Sequence, residues 1–122
     1  MTSTRFAGIA DARSKIGREI GVSDWLAIDQ ARVGGFADVT GDHQWIHVDV
    51  ERARRESPFG GPIAHGYLTL SLLANFAQQC IAVDGIRLAV NYGLNRVRFP
   101  SPVRVGSKVR ARFVLAAVED IE

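Results

Sequence analysis

Two stretches of this chain hold the residue types that move protons. The first, Phe36-Ala-Asp-Val-Thr-Gly-Asp-His-Gln-Trp-Ile-His47, places Asp42 and His47 five residues apart beside Gly41. An imidazole titrates near neutrality, and a nearby carboxylate can orient it or act as a second acid or base. From spacing alone a bland reading competes: Asp42 satisfies loop amides and His47 is a packed polar residue. The second stretch, Gly61-Pro-Ile-Ala-His-Gly66, delivers a glycine to the start of an apolar run. A backbone N–H at a helix start is open, and the dipole there favours negative charge, as on a developing oxyanion. A metal centre built from Asp42, His43, His47, Asp49 and His65 is the weaker alternative. Trp45 and Ile46 read as loop or strand, not as the helix that a His-x3-His ligand pair would use. No Gly-x-Ser-x-Gly elbow exists for nucleophilic catalysis.

The elements that must position these groups follow from periodicity and punctuation. Ala7 to Ile16 reads as a short amphipathic helix, Glu19 to Asp24 as a loop around Gly21, and Trp25 to Ile28 as an edge strand. Asp29 caps a helix through Thr40 that buries Val33, Phe36 and Ala37, with Gly41 as its stop. Gly34-Gly35 inside it calls for tight packing or a close backbone approach. Asp42 to Asp49 reads as loop, then Asp49 caps a charged helix to Glu56. Ser57 to Pro62, with two prolines and two glycines, is irregular. Gly66 to Val83 reads as one core helix, apolar on nearly every side and ~25 Å long at 1.5 Å per residue. Asp84-Gly85 is a turn. Ile86 to Phe99 reads as a long strand with a bend at Gly93, and Lys108 to Val118 as a half-wet strand.

At 122 residues the chain is read as one domain, 1–122, with room for a real core. A 47% hydrophobic and 23% charged composition is that of a globular protein. The apolar run carries Asn75, Gln78 and Gln79, and the N-terminus lacks the apolar core of a signal peptide, so the expectation is a cytoplasmic protein without membrane spans. Cys80 is expected to be a small buried hydrophobe. Net charge is +2, but seven basic and no acidic residues fall between Gly85 and Val118. That field suits a phosphate-bearing ligand or an acidic carrier protein, while no nucleic-acid-binding signature is present. The visible strands are too few to enclose so long a helix. Either further strands or a second copy must complete the sheet.

At these residues the sequence resembles the MaoC-like, (R)-specific enoyl-CoA hydratase family. The family pattern Phe-Ala-x-x-(Ser/Thr)-Gly-Asp-x-Asn-Pro-(Ile/Leu)-His matches Phe36 to His47, and its Pro-Ile-x-His-Gly segment matches Pro62 to Gly66. The likeness continues through Tyr67 to Leu73, Asn91 to Phe99 and Pro102 to Gly106. It implies an α+β hotdog fold, an antiparallel sheet curled around one long helix, paired as a homodimer. It implies Asp42 and His47 as catalytic, with Gly66 holding the thioester oxygen. Trp45, Ile63, Ala64, His65, Asn91, Arg96 and Arg98 would line or bind the substrate, the two arginines meeting carrier phosphates. The substrate would be a 2-enoyl thioester of coenzyme A or acyl carrier protein, with no metal or redox cofactor. Two departures stand out. Gln44-Trp45 replaces the family's Asn-Pro, and family members continue for about two strands past the position of Glu122. A shortened hotdog that binds acyl thioesters or dimerises without turnover is the alternative, and a thioesterase a more distant one.

Overall fold

The computed structural model describes residues 1–121. In chain order its elements are β1 (Thr4–Phe6), α1 (Ile9–Arg13), β2 (Glu19–Val22), β3 (Leu26–Ala27), α2 (Gln30–Thr40), α3 (Trp45–Val48), α4 (Val50–Glu56), α5 (Gly66–Ser71), α6 (Leu73–Cys80), β4 (Ile81–Val83), β5 (Lys108–Val109) and β6 (Arg112–Val114). They group into two compact units.

The first unit comprises Met1–Asp24, Leu73–Asn95 and the chain from Arg110 onward. Here β1 runs parallel to β4, and β2 antiparallel to β6 with a register shift between Glu19 and Gly21. Phe6, Ala12 and Ile20 form the buried cluster, with Ile81, Val83, Phe113 and Leu115 packed on it. The expected loop at Glu19 to Asp24 is therefore a strand. Gly21 permits it, because a Cβ there would sit 2.7 Å from Cβ of Cys80. Cys80 is buried as expected, its thiol donating to the Phe76 carbonyl at 3.0 Å, and burial pushes its pKa up.

The second unit, Trp25–Leu72 with Arg96–Val109, carries both stretches of interest. β3 pairs antiparallel with β5, and Ile28, Val33, Ala37 and Ala53 are fully buried. The helix boundaries of α2 follow the sequence: Asp29 accepts from the Arg32 amide at 2.8 Å, and Gly41 ends the helix at φ 79°. Gly34 and Gly35 meet nothing within 4 Å at their Cβ positions, so close backbone approach does not explain them. Asp49 caps α4 through the Arg52 amide.

Four further expectations are corrected. Trp45 to Val48 is one turn of helix, not loop, because Gln44 turns the chain into it with ψ 138°. The run from Gly66 is two helices separated at Leu72, ending at Cys80, with Ile81–Val83 a strand. α6 buries Phe76 and Cys80 but leaves Leu73, Ala74 and Asn75 exposed, so it is one-sided. Ile86 to Phe99, a strand by its alternation, forms no ladder among the described residues. Leu88, Val90, Tyr92 and Leu94 are exposed there. Lys108 to Val118 is cut into β5 and β6 by Arg110-Ala111.

Candidate active site

Gly41 lets the chain leave α2 sharply, and Asp42 follows with its side chain in solvent. One of its carboxylate oxygens accepts a long, 3.4 Å bond from the Gln44 amide, the local turn expected of an Asp at this position. Gln44 then starts α3, and the turn swings His47 inward until it is 7% exposed.

His47 is held at both its ring and its backbone. Its Nδ1 lies 2.7 Å from the Ile63 carbonyl oxygen, and its own carbonyl accepts from Gln30 Nε2 at 2.8 Å. A carbonyl can only accept, so Nδ1 carries the proton and the neutral ring presents its lone pair on Nε2. The Ile63 amide returns a bond to the Ile46 carbonyl at 3.0 Å, and the Ala64 amide binds the Val103 carbonyl at 2.8 Å. The segment that orients His47 is thus itself fixed on two sides.

His65 joins this group. It is 2% exposed, and its ring stacks on that of His47 with centroids 3.8 Å apart and planes 23° apart. Its Nε2 donates to the Asp42 backbone carbonyl at 2.9 Å, and the Phe36 ring packs at 4.9 Å. One carboxylate oxygen of Asp42 and one ring nitrogen each of His47 and His65 fall within 4.8 Å of one another. The set is poorly shaped for a metal ion. Imidazole binds a metal in the ring plane, and two rings stacked nearly face to face do not aim their lone pairs at one point. One nitrogen of each ring is also engaged by a carbonyl.

Gly66 opens α5 directly after His65. As the first helical residue, its N–H has no carbonyl one turn earlier to bind. The helix behind it runs only to Ser71, so less dipole supports that N–H than the expected long helix would supply. A Cβ added at Gly66 would meet Cδ2 of Phe99 at 2.6 Å. Gly66 and Phe99 line a cavity of about 370 Å³ with Phe59, Ile63, Ala64 and Thr69.

The other expected positions are placed differently. One face of Trp45 carries the Arg52 guanidinium, 4.2 Å from the ring centroid. Arg96 and Arg98 are exposed, with Arg98 donating only to the neighbouring Val97 carbonyl among its described bonds. Asn91 lies exposed in the first unit. His43 turns to Asp38, 2.9 Å away, and that hydrogen bond raises its pKa above the ordinary 6.5. A second cavity, about 260 Å³, is lined by Gln30, Arg54 and Arg104 among others. Phe36, which packs on His65, was legible as part of the apolar face of α2 and of the family pattern, whereas Gln30, which bonds the His47 carbonyl, carried no signal in spacing or charge.

The family described as MaoC like domain matches residues 11–122. The 3-hydroxyacyl-thioester dehydratase Z of Mycobacterium tuberculosis is 55% identical over 116 residues, covering 95% of this chain and 76% of that protein. Nodulation protein N of Rhizobium leguminosarum bv. viciae is 56% identical over 111 residues, covering 88% of this chain and 68% of that protein. Among solved structures, a monoamine oxidase regulatory protein from Archaeoglobus fulgidus superposes with a TM-score of 0.74 at 28% identity, covering 92% of this chain and 72% of that one.

Proposed function

The chain belongs to the MaoC-like dehydratase family and has its hotdog-like fold, and from that premise we propose that it hydrates 2-enoyl thioesters to (R)-3-hydroxyacyl thioesters and catalyses the reverse dehydration. The observation that carries this reading is the convergence of the Asp42 carboxylate and a ring nitrogen of His47 within 4.8 Å, with His65 of the same cluster leading directly into the helix-opening amide of Gly66. A hydro-lyase needs those parts: two groups that share a proton and a donor for an enolate oxygen.

In the hydration direction, a water molecule sits between the Asp42 carboxylate and the Nε2 lone pair of His47. Nε2 takes one of its protons as the oxygen attacks C3 of the conjugated thioester. The electron pair of the C2–C3 double bond moves toward C1, and the thioester oxygen gains negative charge. The Gly66 N–H donates to that oxygen. The proton taken by Nε2 of His47 then passes to C2, which returns that ring to its starting state, while the Asp42 carboxylate only orients the water, so water is consumed and nothing else. Dehydration follows the same path backwards.

The carrier is coenzyme A or acyl carrier protein, and its phosphates fall to exposed cations, with Arg96 and Arg98 as the assigned pair. Trp45, Ile63 and Ala64 complete the substrate-facing set implied by the family. The finer architecture of the reading is a curled antiparallel sheet, in a homodimer. No helix among the described residues is long and apolar enough to cross a membrane.

The experiment is hydration of a short 2-enoyl-CoA, followed by loss of the conjugated thioester absorbance. Asp42→Ala and His47→Ala should each abolish most of the rate. Retention of most of the wild-type rate by both variants removes the dyad assignment, and release of free thiol would make the protein a thioesterase instead.

A further inference from the structure

His65 is a buried polar side chain of the site that the proton-transfer scheme leaves without a task. Its Nε2 is bonded to the Asp42 carbonyl, which only accepts, so the proton sits on Nε2 and Nδ1 carries a lone pair. That Nδ1 is buried with no partner. An unpaired buried acceptor is unfavourable. If the site needed only a flat filler between Phe36 and His47, phenylalanine would supply it without the orphaned nitrogen. The ring is retained where one of its nitrogens bonds a residue 23 positions away.

That bond and the stack act on different partners. Nε2–H fixes the backbone of Asp42, and the face of the same ring lies 3.8 Å from the ring of His47. The two groups stand on separate elements, the exit of α2 and the turn of α3. The side chain of His65 touches both. Its neighbour Ile63 fixes the tautomer of His47, and Gly66, one residue on, carries the amide assigned to the thioester oxygen.

We propose that His65 is a positioning residue, not a substrate ligand: its Nε2–H tethers the Asp42 backbone while its ring face braces His47, setting the spacing of carboxylate and imidazole. It rests on the hydratase reading for its kinetic consequence, though not for its geometry.

The test has two arms. The first uses the unmodified protein and needs no activity. Long-range ¹H–¹⁵N correlation of the imidazole nitrogens at neutral pH should find His65 protonated at Nε2 and bare at Nδ1, with His47 in the opposite tautomer. His65 protonated at Nδ1 overturns the inference. The second arm compares His65→Phe, which keeps a ring on His47 without the donor, with His65→Gln, which can place an amide N–H near the Nε2 position. His65→Phe should lower kcat about tenfold or more with KM within about twofold, and His65→Gln should recover most of that loss. Equal losses in both variants, or a wild-type kcat in His65→Phe, overturn it. If His65→Phe does not fold, the tautomer measurement decides alone. If the unmodified protein hydrates no enoyl thioester, the functional reading fails, and the tautomers still report on the tether.

Discussion

The ring of Phe99 packs so closely on Gly66 that a methyl group at Gly66 would lie 2.6 Å from Cδ2 and 2.8 Å from Cε2. Phe99 is itself 48% exposed, so the ring has somewhere to go. Gly66→Ala is therefore expected to fold with Phe99 displaced and to lower kcat/KM by about tenfold or more, through a shifted amide and an altered cavity wall. Adding Phe99→Ala should restore part of the loss. If the double variant is no better than Gly66→Ala alone, the ring contact is not the cause.

The two members of the dyad should separate activity from stability. The Asp42 side chain is exposed, and its one described hydrogen bond is the long local one from the Gln44 amide. Asp42→Asn is expected to cut kcat by about 10²-fold or more and to melt with the wild type. His47 is buried and bonded to the Ile63 carbonyl. His47→Ala should remove activity and also destabilise by about 1–3 kcal/mol, leaving an acceptor without its donor. Thermal melts beside initial rates distinguish the two. A fall in melting temperature for Asp42→Asn equal to that of His47→Ala contradicts this division.

Glycines 35 and 21 should respond in opposite directions. Gly35 lies within α2 and faces open space, so Gly35→Ala is expected to stabilise by about 1 kcal/mol from helix propensity. Gly21 lies against Cys80, and a methyl group there forces the strand or that side chain to move. Gly21→Ala should lower the melting temperature. Denaturant midpoints at constant m-value check both, and a destabilised Gly35→Ala would reveal a neighbour that this chain alone does not supply.

His43 gives a pH signature separate from the site. Its hydrogen bond to Asp38 raises its folded-state pKa above 6.5. The sign follows: the stabilisation is complete below the unfolded value and is lost as pH rises through the folded one. The pair is exposed, so the effect on stability is small. In an NMR titration the His43 midpoint should fall back toward 6.5 in Asp38→Asn. Hydration rates should not follow it.

Local signals were readable in the sequence and non-local ones were not. Asp29, Gly41 and Asp49 mark helix ends because a cap acts within one turn, and the structure sets α2 between the first two and starts α4 after the third. The break at Leu72 has no such marker, since Leu, Ala and Gln favour helix on both sides of it. Ile86 to Phe99 has the alternation of a strand, but a strand exists only through a partner, and partners are chosen far along the chain. The same limit governs the site. Asp42, His47 and Gly66 stand out by type and spacing. The partners that orient them are the carbonyls of Ile63 and Asp42, and a backbone carbonyl leaves no trace in a list of side chains.

Between Ile63 and Gly66, four consecutive residues hold the acceptor for His47, the donor for Asp42 and the amide at the cavity wall, and the Ala64 amide anchors the segment on Val103. The site therefore inherits a single ruler. Sliding that segment carries all three reference points along together, so small displacements preserve their mutual spacing. Inserting or deleting one residue within it scrambles every alignment at once. Loop grafts that reshape the cavity from Phe59 or Phe99 can be tried freely, whereas the tetrapeptide is inherited whole or not at all.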